Sequence, residues 1–180
     1  VYINNQEEHS YLDSYLDSSA IGTKSLSSVV ITKADTGSGI NISTYNINYC
    51  TVGMYKNALA TAGVTDANII VAGPFQLSGT AALVGIFKAY EEMTGDNLDE
   101  EVVDAALNEL VTTGELNQSI DGDSDSVEAL IAELKQKLAN GDLSTDEDIR
   151  AAIDELAKKY DLSLSEDDIK TLIDLINALK

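Results

Sequence analysis

Three aspartates at alternating positions, Asp121, Asp123 and Asp125, form the first candidate metal site of this sequence. The first half of a calcium-binding loop uses this spacing, because it lets successive carboxylates wrap oxygen ligands around a hard cation. The second half departs from the pattern, since an EF-hand has a glycine where Ser126 stands and a glutamate where Ala132 stands. Two interpretations remain open: weak calcium binding, and a solvated acidic linker in which Asp125 caps the next helix.

Ser78, Gly79 and Thr80 follow an apolar run and open a predicted helix. Backbone N–H groups at such a junction are not used inside the helix and can bind an anion. A phosphate-binding loop would also have a lysine and a longer glycine-rich turn, and this segment has neither. The segment is therefore interpreted either as a helix cap that packs closely on a sheet or as a binding site for a glycan or a carboxylate.

Tyrosine and asparagine are interleaved in the first 55 residues, which hold six of the eight tyrosines. Tyr45 and Tyr49 alternate with Asn46 and Asn48 in one short run. Tyrosine rings stack on the apolar faces of sugars and peptides, while asparagine amides form hydrogen bonds with hydroxyl groups. The two tyrosines are therefore candidates for binding a neutral ligand, and packing at the edge of a small core is the alternative.

The side chains that most often carry out catalysis are scarce. His9 is the only histidine and Cys50 the only cysteine. His9 and Asp13 could meet on one helix, but two groups make neither a zinc site nor a catalytic triad. With 31 acidic residues, pairs of carboxylates arise by chance and identify no glycosidase. No catalytic residue and no cofactor other than weakly bound calcium are predicted, and the sequence favours a protein that is not an enzyme.

The formal net charge of −20 over 180 residues restricts the possible partners. Nucleic-acid phosphates would be repelled, and proteins that bind them carry a basic stripe. The longest uncharged apolar stretch runs from Ala81 to Phe87, far short of the roughly 20 residues that a membrane-spanning helix requires. Neither nucleic acid nor a transmembrane segment is expected, which leaves cations, neutral glycans and basic proteins as partners.

The elements that would position these residues alternate between strand and helix up to residue 97. Residues 28–32 and 40–49 are rich in β-branched and aromatic side chains and flank a turn-forming segment, so they predict a β-hairpin. A change of phase at Ser43 and Thr44 predicts a β-bulge. The other predictions are a strand at residues 1–3, a short helix around Tyr11 and Tyr15, a helix over 52–62, a buried central strand over 68–72 ended by Pro74, and a helix over 78–94 ended by Gly95.

Residues 98–180 predict about four helices, each with an acidic first turn and an apolar stripe. Ser144 with Glu147, and Ser165 with Asp168, have the spacing of helix caps. This part holds 22 acidic and 7 basic residues, against 9 and 4 in residues 1–97. The predicted class is α+β (α/β-like), with a small mixed sheet in an α/β unit (1–97) and an acidic helical unit (98–180). The stripes are compatible with a separate bundle and with packing onto the sheet.

The segments Ala20–Ser28, Thr44–Ile47, Ala72–Phe75 and Ser78–Phe87 resemble the YpuA-like domain family of unknown function, which occurs in predicted secreted proteins of low-GC Gram-positive bacteria. The resemblance implies an extracellular or cell-envelope location and assigns no functional residue. The leading hypothesis is a non-catalytic binding or structural module whose partner is a cell-wall component or another exported protein. The alternatives are a hydrolase of wall glycan or peptide that uses carboxylates in a cleft between the two units, and a regulator that binds through a helix.

Overall fold

The computed structural model describes residues 1–120 and 122–180. The chain forms two compact units, Val1–Leu110 and Val111–Lys180. The boundary between them lies within the helix Glu100–Ser119. The boundary predicted after residue 97 stays a prediction. In chain order, the helices and strands are α1 (Asn5–Leu12), α2 (Ser18–Ile21), β1 (Ser28–Lys33), β2 (Ile40–Ile47), α3 (Val52–Thr61), β3 (Ala67–Leu77), α4 (Thr80–Thr94), α5 (Glu100–Ser119), α6 (Ser124–Ala139), α7 (Asp146–Lys159) and α8 (Glu166–Ala178).

The first unit contains a three-stranded mixed sheet in the order β1-β3-β2. β3 pairs antiparallel with β1 and parallel with β2. The predicted class, a small mixed sheet with helices followed by a helical C-terminal part, is confirmed. The predicted central strand is confirmed as β3, whose residues 69–71 are paired on both edges. It is buried on one face only, since Ile69 and Val71 are buried and Ile70 is exposed.

The predicted β-hairpin is wrong, because β3 lies between β1 and β2 and pairs with both. A hairpin would leave β3, the most apolar strand, at an edge of the sheet. A parallel pair needs a crossover connection, and α3 supplies it between β2 and β3. The turn over residues 35–39 instead folds against Asp66, whose Oδ1 accepts the backbone N–H groups of Gly37 and Gly39.

The β-bulge predicted in the second strand at Ser43 and Thr44 lies instead in β3, opposite Asn46 of β2. The register changes between Tyr45 and Ile47, and Asn46 adopts a positive φ of 57°. Opposite this residue, β3 accommodates four residues that include Pro74. Pro74 therefore does not end the strand as predicted, because its missing N–H falls where no ladder hydrogen bond is needed.

One face of the sheet carries the core of the first unit. Side chains of the β strands that point to this face pack with α3 and α4, and Ile69 and Val71 are almost fully buried. On the opposite face, Val30, Ile70 and Tyr45 are exposed. The helices predicted over 52–62 and 78–94 are confirmed as α3 and α4, whereas residues 1–3 form no strand and the helix predicted around Tyr11 and Tyr15 ends at Leu12.

In the second unit, α6, α7 and α8 pack around one apolar core with the end of α5. The four predicted helices are therefore confirmed. Ser165 caps α8 with Asp168 as predicted, but the cap of α7 is Thr145 with Asp148, one residue beyond the predicted pair. Across the described ranges 1–120 and 122–180, no helix combines the length and the hydropathy that a bilayer crossing demands.

Candidate functional site

The candidate site is a cavity of about 260 Å³ in the first unit, called the Glu8 cavity below. Glu8 of α1 lines it and is only 2% exposed. The other walls are the irregular segment 22–27 and the junction between β3 and α4. A carboxylate withdrawn this far from water is costly unless other groups donate hydrogen bonds to it, so the surroundings of Glu8 decide what the cavity can bind.

Two hydroxyl groups donate hydrogen bonds to Glu8, one to each carboxylate oxygen. Thr80 Oγ1 lies 3.2 Å from Oε1, and Ser25 Oγ lies 2.6 Å from Oε2. No ion pair joins Glu8 to a lysine or arginine among the residues that the structure describes. A carboxylate has about four acceptor positions, so Glu8 retains the capacity to accept further donors from a ligand.

Glu8 also complements the first turn of α4. The N-cap of this helix is Gly79, which has no side chain to accept the free N–H groups of the first turn. Negative charge near a helix N-terminus is favourable because the helix dipole is positive there. The carboxylate of α1 therefore brings to this junction the negative charge that an anionic ligand would otherwise supply.

Close packing sets the shape of the junction between β3 and α4. The hydroxyl of buried Tyr55 donates to the carbonyl of Gly79 over 2.6 Å. Gly79 has a φ of +87°, and a Cβ atom there would meet Tyr55 Oη and would lie 2.7 Å from Ile47 Cγ2. Glycine is therefore required at this position, which confirms the close contact with the sheet expected from the sequence.

Segment 22–27 is joined to α1 at two points. The Gly22 carbonyl accepts from Asn5 Nδ2 at 3.3 Å and lies 3.1 Å from His9 Nε2, while Ser25 donates to Glu8. The other ring nitrogen of His9, Nδ1, lies 2.6 Å from Asp13 Oδ1. The Asp13 carboxylate, and then the Gly22 carbonyl, raise the pKa of His9 above its ordinary 6.5.

The ligand-binding residues predicted from the sequence lie in different places. Ser78 and Gly79 line the Glu8 cavity, and Thr80 is buried beside them and donates to Glu8. Tyr45 is 60% exposed on the open face of the sheet, whereas Tyr49 is partly buried against the core. Their roles in binding stay predictions.

The three aspartates of the predicted calcium site are only partly described. Asp121 lies outside the described residues. Asp123 is the N-cap of α6, where Oδ1 accepts the N–H of Asp125 and Oδ2 accepts the hydroxyl of Ser126. Asp123, rather than Asp125 as in the linker interpretation, therefore caps the helix, and calcium binding stays a prediction. Within the described parts of the chain, no cluster of three or more histidine, cysteine, aspartate or glutamate residues is arranged to hold a metal ion.

Comparison with known proteins agrees with the sequence resemblance. The profile of a family described as "Protein of unknown function (DUF1002)" matches residues 1–180. The chain belongs to the DUF1002 family. It is also 42% identical over 181 residues to the "Uncharacterized protein YpuA" of Bacillus subtilis (strain 168), and the match covers all of this chain and 62% of the relative. The chain thus spans less than two thirds of that protein's length. No solved structure matches it.

In this DUF1002 chain, sequence reasoning missed the central residue of the site, Glu8. The available signal was its spacing from Leu12, since residues four apart lie on one face of a helix and Leu12 is fully buried. The contribution of Ser25 had no such signal, because Ser25 lies in irregular chain and reaches Glu8 only through the tertiary fold.

Proposed function

We propose that this chain is a non-catalytic binding module and that the Glu8 cavity binds its ligand. The observation that carries the proposal is the buried Glu8 carboxylate, which lines a cavity and receives hydrogen bonds from two neutral hydroxyl groups. Buried charges are usually paired. A ligand that brings a positive charge to Glu8 would supply the missing partner.

Glu8 is the buried charge of the cavity and favours a cationic ligand over an anionic one, whereas Lys24, which also lines the cavity, is exposed. A carboxylate ligand would be placed against the Glu8 carboxylate, and like charges at short range repel strongly where water is scarce. An ammonium group, in contrast, provides three donors and no acceptor. The net charge of −20 adds a long-range attraction for cations.

The size and the walls of the cavity define the rest of the ligand. A volume of about 260 Å³ lies below the usual range for sites that enclose a drug-sized molecule. Ile21, Leu77 and Ala81 supply apolar walls. The proposed ligand is an alkylammonium group, either in a small free amine or at the end of a lysine-like side chain of a peptide.

An exported or cell-envelope location is part of the proposal and is supported by the family resemblance alone. There, the partner carrying the ammonium group would be a wall component or another exported protein. Cell fractionation of the source organism with an antibody against the chain tests this location. Recovery in the cytoplasmic fraction alone would reject it.

The binding proposal is tested with three probes of one length: pentylammonium, pentanol and pentanoate. Two-dimensional NMR of the whole chain, recorded with each probe, follows the methyl signals of Ile21 and Ala81. Pentylammonium is expected to shift them with the highest affinity, pentanol more weakly, and pentanoate not at all. N-acetyl-lysine methylamide distinguishes a peptide side chain from a free amine.

The decisive variant is Glu8→Gln, which is isosteric and keeps a hydrogen-bonding group next to Ser25 and Thr80. It should remove the preference for the ammonium probe over the alcohol. Glu92→Gln is the matched control, because it removes one negative charge from an exposed position of α4 outside the cavity. Equal binding of all three probes, no binding of any, or an unchanged preference in Glu8→Gln would reject the proposal. Hydrolysis of a wall fragment that depends on a single acidic residue would establish the hydrolase instead.

A further inference from the structure

Residues 22–27, called the strap below, form one wall of the Glu8 cavity without regular secondary structure. Side-chain hydrogen bonds hold the strap to α1 at two points, the carbonyl of Gly22 and the hydroxyl of Ser25. A segment held by so few bonds opens more readily than a helix or a strand. The strength of each bond therefore affects access to the cavity.

His9 is the titratable group at the Gly22 attachment. Both of its ring nitrogens face acceptors: Nδ1 faces the Asp13 carboxylate and Nε2 faces the Gly22 carbonyl. A neutral imidazole has one N–H and satisfies only one of them, whereas the imidazolium donates to both. The geometry around His9 is therefore complete only when the ring is charged.

We propose that the protonated His9 fastens the strap at Gly22, so that the Glu8 cavity is narrower when His9 is charged and widens when His9 becomes neutral. The neutral ring keeps its proton on Nδ1, where the charged Asp13 is the stronger acceptor. The lone pair of Nε2 then faces the Gly22 carbonyl oxygen, and this contact becomes repulsive. Asn5 still donates to Gly22, so the strap loosens without being released completely.

The surrounding charges set the direction of the pH response. Asp13 and Glu8 of the same segment both favour the charged ring, and the raised pKa of His9 follows from these groups and from the Gly22 carbonyl. Two lysines belong to the elements around α1. Lys88 of α4 is paired with Glu7, and Lys24 is the only charged residue of the strap. The fastening is therefore complete below pH 6.5 and is lost as the pH rises through the higher pKa of folded His9.

Two measurements without any ligand test this proposal. Because His9 is the only histidine, proton NMR of its ring gives the titration curve directly. Trypsin cleavage after Lys24, followed by mass spectrometry of fragment 1–24, reports how often the strap opens. The cleavage rate is divided at each pH by that of His9→Gln, which cannot titrate, so that the pH dependence of trypsin itself cancels.

We expect this ratio to rise about tenfold to a hundredfold along the His9 titration curve, the size of losing one hydrogen bond from a charged donor. Asp13→Asn should shift both curves to lower pH together. Any of three results would overturn the proposal. The cleavage ratio could stay constant, the His9 ring could keep its charge up to pH 8.5, or Asp13→Asn could shift the ring titration without shifting the cleavage ratio. The role of the strap in ligand access rests on the proposed function. Ammonium binding with a constant cleavage ratio would support that function and reject the strap proposal alone.

Discussion

The same substitution should have opposite effects at two glycines of the β3–α4 region. Gly79 has a positive φ and lies against Tyr55 and Ile47, whereas Gly85 lies within α4. A Cβ atom at Gly85 would lie 3.8 Å from Val29 Cγ2 and 3.9 Å from Ile3 Cγ1, which are ordinary contacts. Gly85→Ala should therefore stabilise the first unit, and Gly79→Ala should destabilise it.

The magnitudes follow from the local geometry. Alanine is better than glycine inside a helix by about 0.5–1 kcal/mol, and no repacking opposes the gain at Gly85. At Gly79, the left-handed backbone costs an L-residue about 1–2 kcal/mol. Overlap with Ile47 and Tyr55 adds about 1–3 kcal/mol, and the displaced Tyr55 hydroxyl loses a hydrogen bond worth about 1 kcal/mol. The two variants should thus differ in unfolding free energy by at least about 3 kcal/mol.

Urea denaturation followed by near-ultraviolet circular dichroism measures the difference in unfolding free energy of the first unit, which contains both glycines. Seven of the eight tyrosines lie within residues 1–110 and the chain has no tryptophan, so the aromatic signal reports mainly on the first unit. A destabilising effect of Gly85→Ala, or a cost below about 1 kcal/mol for Gly79→Ala, would refute the description of the junction.

Three further predictions concern other parts of the chain. Asp161 has a φ of +55° after α7, so Asp161→Gly should stabilise the second unit by about 0.5–1 kcal/mol in thermal melts, whereas Gly141→Ala should destabilise it. Burial raises the pKa of Cys50 to about 12, so its thiol should react with Ellman's reagent at pH 8 only after unfolding. The N–H of Gly39 helps to hold the pKa of Asp66 below its ordinary value, so Asp66→Asn should lower the denaturation midpoint at neutral pH. The difference in midpoint between the variant and the original protein should vanish as the pH falls through that lowered pKa.

Local patterns predicted the helices better than the pairing of the strands. The stripes and caps of α6–α8 depend on residues within a few positions of each other, which a sequence shows directly. The position of β3 between β1 and β2 instead gives this apolar strand a hydrogen-bonded partner at each edge. The strand order depends on all three strands together. The prediction instead paired the two strands that are adjacent in sequence, which gave the hairpin.

The candidate site shows the same limit. The spacing of Ser78, Gly79 and Thr80 after a strand indicated a junction with free N–H groups, and the structure places these residues at the Glu8 cavity. Glu8 lies some 70 positions away in the chain, as the hydrogen bond from Thr80 shows. The position of Glu8 beside α4 depends on packing that no local pattern describes. It changes the ligand that we propose from a glycan or a carboxylate to a cation.

The placement of β3 at the centre of the sheet also affects how the chain folds. Ser28 pairs with Ala72, so the sheet forms only after a long loop has closed, whereas α6, α7 and α8 contact their neighbours across short connections. Folding slows as contacting residues become more distant in sequence. In a refolding experiment, we expect the helical signal of the acidic unit to recover first and the tyrosine signal to lag behind. Until that slower phase is complete, the edges of β3 are exposed and prone to pair with another chain.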